Sequence, residues 1–428
     1  AAFNIPWAQK ALLENCIDTA ELSEASRIHD PYQRADKVTN YYLEALQLAA
    51  KKLDQLPGVA ICVVPEEVFK NCRPASIVKN YIGDKVTKEE IASRKAGQLN
   101  LFSNVDSDIY DLSSDFRRQL KARSMKYGIP IQIIRESTLS LSLTAQSDRR
   151  KLTPISDRMW NLSTALYYKC GGKPWRLDTA RDSVCYIGIA FRRAGNGKTA
   201  CCAAQMFLSD GDGIVFLGEF GPWYAPDKHQ FKLTRKAATN LLKGTLKTYQ
   251  QLGGKGLKEI FLHSRSTISN DEFAGYLDAC PPNVQLNGIR VRPERRNGFR
   301  LYRSQKMPVL RGSFLKISSD TGFLWASGFK PRLATYDGWE TPVPLRIDIQ
   351  HGNASIERVA QDIFGLTKLN YNACRLGESQ PVTVKFSDAV GEILISNPNV
   401  SDFRNNFKFY RSCLRKKWDR QQCHSSPK

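Results

Sequence analysis

The sequence predicts an α/β protein with two domains, each built around its own sheet. Residues 57–135 alternate strand and helix patterns, which is typical of a largely parallel sheet. From residue 184 onward the pattern changes to strand, turn and strand, which predicts an antiparallel meander. The 428 residues also suffice for two domains of ordinary size, each able to bury its own core.

The first domain is predicted from helix and strand patterns that alternate along the chain. Residues 31–55 have the apolar spacing of an amphipathic helix, and residues 59–64 form an apolar run typical of a buried strand. The next helix should end at Gly128, because glycine readily adopts the left-handed conformation that stops helices, and a strand is expected over residues 129–134. A further helix is expected over residues 156–169.

Residues 195–199 read Gly-Asn-Gly-Lys-Thr and end like a Walker A phosphate loop. Such a loop needs another glycine five residues before its Gly-Lys pair, and this chain has Arg192 there. A second turn signal, SDGDG, follows soon afterwards. The stretch therefore predicts the tip of a hairpin in preference to a nucleotide site.

The elements that follow the hairpin predict an RNase H-like fold for the second domain. Three strands in a meander are followed by a helix that Gly253 and Gly254 should end, and then by the strand pattern KEIFLHSR. This order of elements opens the RNase H-like fold. That fold commonly hosts a two-metal nuclease with an acidic residue in its first strand.

The net charge indicates the class of partner. The chain has 63 Lys and Arg residues against 42 Asp and Glu residues, a formal net charge of +21, and much of the excess is spread along the chain. Because a strongly basic protein attracts polyanions, we expect a long groove that follows a nucleic-acid backbone. Solubility alone, the alternative explanation, seldom requires so large a bias.

Composition argues against several other classes of protein. No run of about 18 apolar residues could cross a bilayer, so no membrane partner is expected. The start of the chain lacks both a signal-peptide pattern and a Met, so we expect upstream residues to be missing. The eleven cysteines are an odd number without CxxC pairs, which predicts buried thiols and a cytoplasmic protein. The five histidines show no metal-binding spacing, and His263 is expected to be a core residue.

Six stretches of the sequence carry a resemblance to one family. They are VVPEEVFKNCRP, LKARSMKYGIPIQIIREST, YYKCGGKPW, CCAAQMF, LTKLNYNA and PVTVKFSDAVGEIL, and they lie within residues 57–411. In this order they resemble a short prokaryotic Argonaute, which consists of a MID and a PIWI domain. The resemblance implies a Rossmann-like MID domain over 57–180 and an RNase H-like PIWI domain over 181–411. Residues 1–56 would then be a helical segment leading into MID, and residues 412–428 a basic tail.

The resemblance implies a pocket in the MID domain for the 5′-phosphate of a guide strand. Arg117 and Lys121 are four residues apart, so one helix face carries both cations. Gln132 lies on the following strand and Lys169 near the end of a later helix, and the four donors are expected to converge on the phosphate. The family also implies Mg²⁺ beside that phosphate. The alternative is an Arg and Lys pair on a solvated helix face.

In the PIWI domain, the resemblance implies that the metal-binding carboxylates have been lost. The stretch CYIGIAF places Ala190 where the first aspartate should stand, and LHSRST places Arg265 where the second belongs. Mg²⁺ needs oxygen ligands, whereas a methyl group offers none and a guanidinium repels the metal. Asp388 stands at the fourth metal-ligand position and is the one carboxylate left among these positions. We therefore expect no catalysis by this chain and no metal held by these side chains.

A basic stretch in the second half, RVRPERRNGFRLYRSQK, carries seven cations around two aromatic residues. Strand alternation is expected to present several of these cations on one face to a phosphate backbone. An ordinary basic hairpin is the alternative. The candidate backbone-binding residues are Arg290, Arg292, Arg295, Arg296, Arg300 and Arg303.

These features favour a guide-loaded recognition protein over an enzyme. The resemblance implies that a 5′-phosphorylated guide RNA pairs with invading single-stranded DNA and that a separate APAZ-containing effector protein responds. That partner, in a heterodimer or a larger assembly, would serve prokaryotic defence against viruses and plasmids by depleting NAD through a TIR or sirtuin-like domain. Two alternatives stay open: the partner is a nuclease, or this chain is itself a guide-dependent nuclease. No nucleotide cofactor is expected.

Overall fold

The computed structural model describes most of the chain, with gaps at both ends and in several loops. The described residues are 10–96, 107–140, 154–179, 181–193, 200–208, 213–225, 227, 229–251, 256–295, 299–304, 306–336, 338, 340–371, 377–394 and 396. Within them, none of the helices combines the length and the apolar character that crossing a bilayer requires. The basic tail predicted over residues 412–428 lies outside the described residues.

The first domain is a two-stranded parallel sheet packed among helices. Its strands are β1 (Ala60–Val64) and β2 (Ile131–Arg135), which pair with Ala60 opposite Ile131. Its helices are α1 (Thr19–Ser26), α2 (Pro31–Lys52), α3 (Glu66–Asn71), α4 (Lys88–Lys95), α5 (Phe116–Ser124), α6 (Glu136–Leu139) and α7 (Ile155–Lys169). Side chains from α1, α2, α5 and both strands share one apolar core. The helices before residue 57 therefore pack as part of this domain.

Local sequence signals explain where these elements begin and end. The carboxylate of Asp30 accepts hydrogen bonds from the first backbone N–H groups of α2, and Pro31 occupies its first turn. A short 3₁₀ turn follows α5, and Gly128 then adopts a left-handed conformation with φ of 66°. That glycine allows the chain to reverse into β2, as predicted.

The second domain contains a mixed sheet with helices on both faces. Within the described residues its strand order is β10-β11-β12-β9-β8-β3-β4-β5. The strands are β3 (Val184–Arg193), β4 (Ala200–Leu208), β5 (Gly213–Gly221), β8 (Glu259–Ser264), β9 (Gln285–Pro293), β10 (Phe314–Lys316), β11 (Thr321–Leu324) and β12 (Leu345–His351), with a separate hairpin of β6 (Tyr224–Ala225) and β7 (Gln230–Phe231). The helices are α8 (Arg235–Gln251), α9 (Asn270–Ala279), α10 (Ile356–Leu366) and α11 (Val382–Leu394).

The strand pairing confirms the predicted meander. β3, β4 and β5 are antiparallel neighbours, and β3 then pairs in parallel with β8. The hairpin of β3 and β4 encloses residues 194–199, so the Gly-Lys-Thr sequence lies in a strand connection; those residues themselves lie outside the described part of the chain. Apolar side chains of α8 and α9 cover one face of the sheet, and those of α10 and α11 cover the other.

Candidate nucleic-acid interface

Three elements of the first domain bring the predicted phosphate-binding residues together. α5 carries Arg117 and Lys121 one turn apart, β2 carries Gln132, and α7 ends at Lys169. The Nζ of Lys169 donates a hydrogen bond to the backbone oxygen of Ile131 at 2.8 Å and another to Oε1 of Gln132. These bonds hold the end of α7 against β2. We call Arg117, Lys121, Gln132 and Lys169 the cationic pocket.

The positive charges of the cationic pocket influence one another. Burial lowers the pKa of Lys121, and the nearby Arg117 guanidinium lowers it further. Burial also lowers the pKa of Lys169 to about 7, and the ammonium group of Lys121 adds to this effect. Each cation raises the free energy of the next, and an anion placed among them would reverse that effect. The arrangement therefore favours a negatively charged ligand.

One carboxylate near the cationic pocket, that of Asp115, is engaged by its own helix. Asp115 begins α5, and its Oδ1 accepts hydrogen bonds from the backbone nitrogens of Arg117 at 2.9 Å and Arg118 at 3.4 Å. Its other oxygen lies 3.6 Å from Nε of Arg118. Asp115 raises the pKa of Lys121, but less than burial and Arg117 lower it. The surplus of positive charge in the pocket therefore persists.

The sequence predicts that Gln132 donates to a phosphate, but its side-chain amide makes hydrogen bonds within the protein. Its Oε1 accepts from Lys169, and its Nε2 donates to the backbone oxygen of Ile133 at 3.2 Å. The amide is thus held by the protein itself and positions Lys169, whereas Arg117 is exposed at the start of α5. The structure brings all four predicted residues to one site, and their binding of a phosphate stays a prediction.

The donor set of the cationic pocket does not fit a metal ion held by the protein. Mg²⁺ is bound by carboxylate, carbonyl and water oxygens, whereas this pocket presents two ammonium groups and a guanidinium. Its one side-chain carbonyl oxygen already accepts from Lys169. Mg²⁺ beside the guide phosphate stays a prediction that the described side chains of the pocket do not support.

In the second domain, one face of the sheet carries the positions that the sequence resemblance assigns to metal-binding carboxylates. β3 and β8 pair with Gly188 opposite His263, so Ala190 and Arg265 follow on the same face of neighbouring strands. α11 packs directly on this face, because a Cβ atom at Gly188 would overlap the carbonyl oxygen of Thr383. Nδ1 of His263 also lies 2.9 Å from the Thr383 hydroxyl.

Arginine and carboxylate side chains occupy this face at the end of β3 and β8. Nη1 of Arg265 forms an ion pair with Asp388 on α11, and Nη2 donates to Oε1 of Gln380 at 2.5 Å. Nη2 of Arg192 lies 3.1 Å from Glu392 and 3.8 Å from Asp388. Burial raises the pKa of Asp388, although both guanidinium groups oppose that shift. The carboxylate at the predicted fourth position is thus matched with arginine.

This arrangement does not fit a pair of catalytic metal ions. Ala190 contributes a methyl group, and Arg265 places a guanidinium against the one candidate carboxylate. Within the described residues, no group of three or more His, Cys, Asp or Glu side chains could hold a metal ion. His263 is buried, and burial lowers its pKa to about 3, so it is a neutral core residue as predicted.

The sequence carries a signal for two further residues of this face. Arg192 lies two residues after Ala190 on the same strand, and Glu392 lies one helical turn after Asp388. A third, Arg118, has no such signal. It lies on α5 of the first domain, and its Nη2 is 2.7 Å from Oε2 of Glu392. The two domains therefore meet beside the cationic pocket.

The basic stretch beginning at Arg290 corrects one expectation. Arg290 and Arg292 lie on β9, which ends at Pro293, so strand alternation applies to these two residues alone among those described. The rest of this basic stretch contains no helix or strand within the described residues. Nε of Arg290 donates to the backbone oxygen of Arg265 at 3.3 Å, and Nη2 of Arg292 lies 4.0 Å from Glu294.

The remaining arginines of the stretch have separate surroundings. Arg295 is exposed, Nη1 of Arg300 donates to the backbone oxygen of Phe299 at 2.8 Å, and the Arg303 guanidinium lies 5.6 Å from the centre of the Phe329 ring. Arg296 lies outside the described residues. Because the strand ends early, the five described arginines do not form one row, and the contact of all six with a nucleic-acid backbone stays a prediction.

Comparisons with known proteins identify the fold. No family model and no curated protein matches the sequence. The Clostridium butyricum Argonaute, solved with a guide DNA and a 19-mer target DNA, is similar with a TM-score of 0.53 and 17% identity, over 83% of this chain and 40% of that one. A structure of Aa-Ago with externally bound siRNA is similar with a TM-score of 0.50 and 19% identity, over 83% of this chain and 41% of that one.

These likenesses show an Argonaute-like fold. They confirm the predicted class, an α/β protein with a Rossmann-like MID domain followed by an RNase H-like PIWI domain. The chain spans about 40% of the length of these two relatives. At such low identity, similarity of fold does not carry function with it.

Proposed function

We propose that this chain is a guide-loaded recognition protein. It holds the 5′-phosphate of a small guide RNA in the cationic pocket and presents the guide for pairing with single-stranded DNA. The observation that carries the proposal is the gathering of Arg117, Lys121 and Lys169, whose charges disfavour one another until an anion binds. A terminal phosphate is doubly charged and accepts several hydrogen bonds, so it suits three neighbouring cations.

We further propose that recognition and chemistry reside on different chains. The support is the ion pair of Arg265 with Asp388, which leaves no set of oxygen ligands for two metal ions on this face of the described structure. Formation of the guide and target duplex would instead favour one arrangement of a bound effector protein over another. By the resemblance of the sequence, that partner is an APAZ-containing protein with a NAD-depleting TIR or sirtuin-like domain in antiviral defence.

The proposal is tested by binding guides that differ in one chemical group. Replacing Lys121 and Lys169 together by Ala should lower the affinity for 5′-phosphorylated guides on the order of 100-fold or more, because each lost charge-assisted bond costs about 1.5–3 kcal/mol. Guides with a 5′-hydroxyl should lose less than about threefold. Lys126→Ala is a matched control, since Lys126 is exposed on the turn that follows α5. Equal losses for both guides would refute the cationic pocket as a phosphate site.

A second measurement separates recognition from nuclease activity. The chain is incubated alone with guide, complementary DNA and Mg²⁺, with and without a chelator. We expect the target to stay intact. Cleavage that the chelator abolishes would establish the alternative, a guide-dependent nuclease.

A further inference from the structure

Arginine and carboxylate side chains form one network at the end of β3 and β8. Arg118, Arg192 and Arg265 surround Asp388 and Glu392. We call these five residues the arginine cluster. Arg118 also contacts Asp115, outside this group. The arginine cluster lies on the face of the sheet where a two-metal nuclease of this fold would neutralise a strand phosphate with metal ions.

The most exposed member of the arginine cluster is a cation. The Arg265 side chain is 42% exposed, whereas the Asp388 side chain with which it pairs is 18% exposed. The carboxylate therefore lies beneath the guanidinium, and Gln380 holds the guanidinium from the side at 2.5 Å. Two contacts thus orient Arg265 while part of its planar donor fork still faces solvent.

The surroundings of Arg265 add positive charge. Nε of Arg290 donates to the backbone oxygen of Arg265, so a further guanidinium lies at the same end of the sheet. Burial lowers the pKa of Arg290, and the neighbouring Arg292 lowers it further. The three guanidinium groups of Arg290, Arg292 and Arg346 thus lie near two carboxylates, those of Asp348 and Glu294, and such a surplus of positive charge attracts an anionic backbone.

We propose that Arg265, supported by Arg192, binds one backbone phosphate of the target strand at the end of β8 without cleaving it. The guanidinium groups would supply the positive charge that metal ions supply in a cleaving site, and no bond is made or broken. Asp388 then acts to position Arg265. This inference rests on the proposed function, because a guide must first bring the target strand to the protein.

The test compares target binding by the guide-loaded full chain and its Arg265→Gln variant. We expect the Kd for complementary DNA to rise about tenfold and the slope of log affinity against log salt to become shallower by about 0.7, as for one lost phosphate contact on a single strand. Arg235→Gln is the matched control, because Arg235 is 60% exposed and also pairs with a carboxylate, that of Asp278 at 2.7 Å, outside the arginine cluster. The control should change neither quantity.

A modified target locates the contact on the unaltered protein. A series of targets is made in which one linkage at a time is an uncharged methylphosphonate. We expect one linkage at which the change weakens the wild-type chain about tenfold and the Arg265→Gln variant less than twofold. If no linkage depends on Arg265 in this way, the inference is wrong, even where the variant itself is unstable.

The outcomes also distinguish this inference from the proposed function. Failure of the wild-type chain to bind 5′-phosphorylated guides would refute the proposed function. Normal binding of guide and target, with Arg265→Gln indistinguishable from Arg235→Gln, would refute this inference alone. Arg265→Lys separates charge from geometry: it should keep the wild-type salt slope and recover only part of the affinity, because a lysine lacks the planar fork.

Discussion

Lys169 is a buried residue whose ammonium group donates hydrogen bonds to Ile131 and Gln132. Its contacts within the described residues include no carboxylate. Its pKa of about 7 means that the guide-free protein holds this proton only partly at neutral pH. A bound phosphate stabilises the charged form and so raises that pKa. The proposed guide binding would therefore be coupled to proton uptake at this residue.

The coupling predicts a pH dependence of guide affinity. As the pH rises from 7 to 9, affinity for 5′-phosphorylated guides should fall by up to about tenfold per pH unit, because Lys169 must regain its proton on binding. The phosphate itself has a second pKa of about 6 and is doubly charged throughout this range. Titration of guide binding by fluorescence anisotropy measures the effect. Lys169→Met should bind more weakly and show a shallower decline, to which Lys121, whose pKa is also lowered, still contributes. A decline in Lys169→Met as steep as that of the wild-type chain would contradict the assignment.

Individual contacts differ in how far they can be predicted from the sequence. The resemblance of the sequence assigns Arg265 and Asp388 to neighbouring metal-ligand positions, which predicts that they lie close together, and the structure joins them. The pair of Arg118 and Glu392 could not be predicted, because the two residues are 274 positions apart and belong to different domains. The internal hydrogen bonds of Gln132 depend on where α7 ends against β2, which local patterns do not reveal.

At the scale of the elements, α11 approaches the sheet closely at Gly188. Gly188 on β3 has no side chain to separate the strand from the Thr383 backbone, and Ser387 of the next turn is also nearby. This contact holds Asp388 and Glu392 over the ends of β3 and β8. The position of the arginine cluster therefore depends on a glycine that lies outside the cluster.

Gly188→Ala should destabilise the second domain. Because the added methyl group would meet backbone atoms, α11 must shift, and overpacking of this kind typically costs about 1–3 kcal/mol. Chemical denaturation followed by circular dichroism measures the loss. Gly256→Ala is the control, since a Cβ there meets no atom within 4 Å and should cost less than about 1 kcal/mol. Equal effects of the two substitutions would show that α11 does not approach β3 in this way.

Elements with strong end signals were predictable, and those bounded by tertiary contacts were not. The left-handed Gly128 marks the passage from the helix into β2 in the sequence as in the structure. The predicted strand does not continue through the basic stretch, because β9 ends at Pro293. Beyond it, the ring of Phe299 packs against Phe323, with 5.0 Å between the ring centroids. Packing of an aromatic side chain on a distant strand overrides a local alternation of charges.

For the whole molecule, the net charge of +21 is the feature that bears most on binding. The cationic pocket lies on the first domain, the arginine cluster on the second, and the pair of Arg118 with Glu392 joins them. A nucleic acid anchored in the pocket would therefore meet further positive charge on the neighbouring domain. Such a distribution fits a backbone that follows the protein over many nucleotides.

Salt should weaken guide and target binding steeply. Between about 50 and 200 mM salt, affinity should fall by orders of magnitude if several phosphates are neutralised, because each contact releases condensed counterions. Filter binding at a series of KCl concentrations measures the slope for a 5′-phosphorylated guide and then for its target. A slope close to zero for both strands would reject a backbone-tracking groove.

The location of the activity can be tested with a complex reconstituted from this chain and the proposed effector protein. Because Asp388 is matched with Arg265 and no metal-binding set surrounds it in the described structure, Asp388→Ala should leave effector turnover at saturating target within about threefold of wild type, even though it removes the ion-pair partner of Arg265. Lys121→Ala combined with Lys169→Ala should abolish that turnover, because no guide is held. Turnover is measured as loss of NAD or degradation of DNA, with guide and matched target present. If Asp388→Ala abolished effector turnover while folding and guide binding stayed normal, the result would indicate a catalytic role for Asp388 and contradict the prediction.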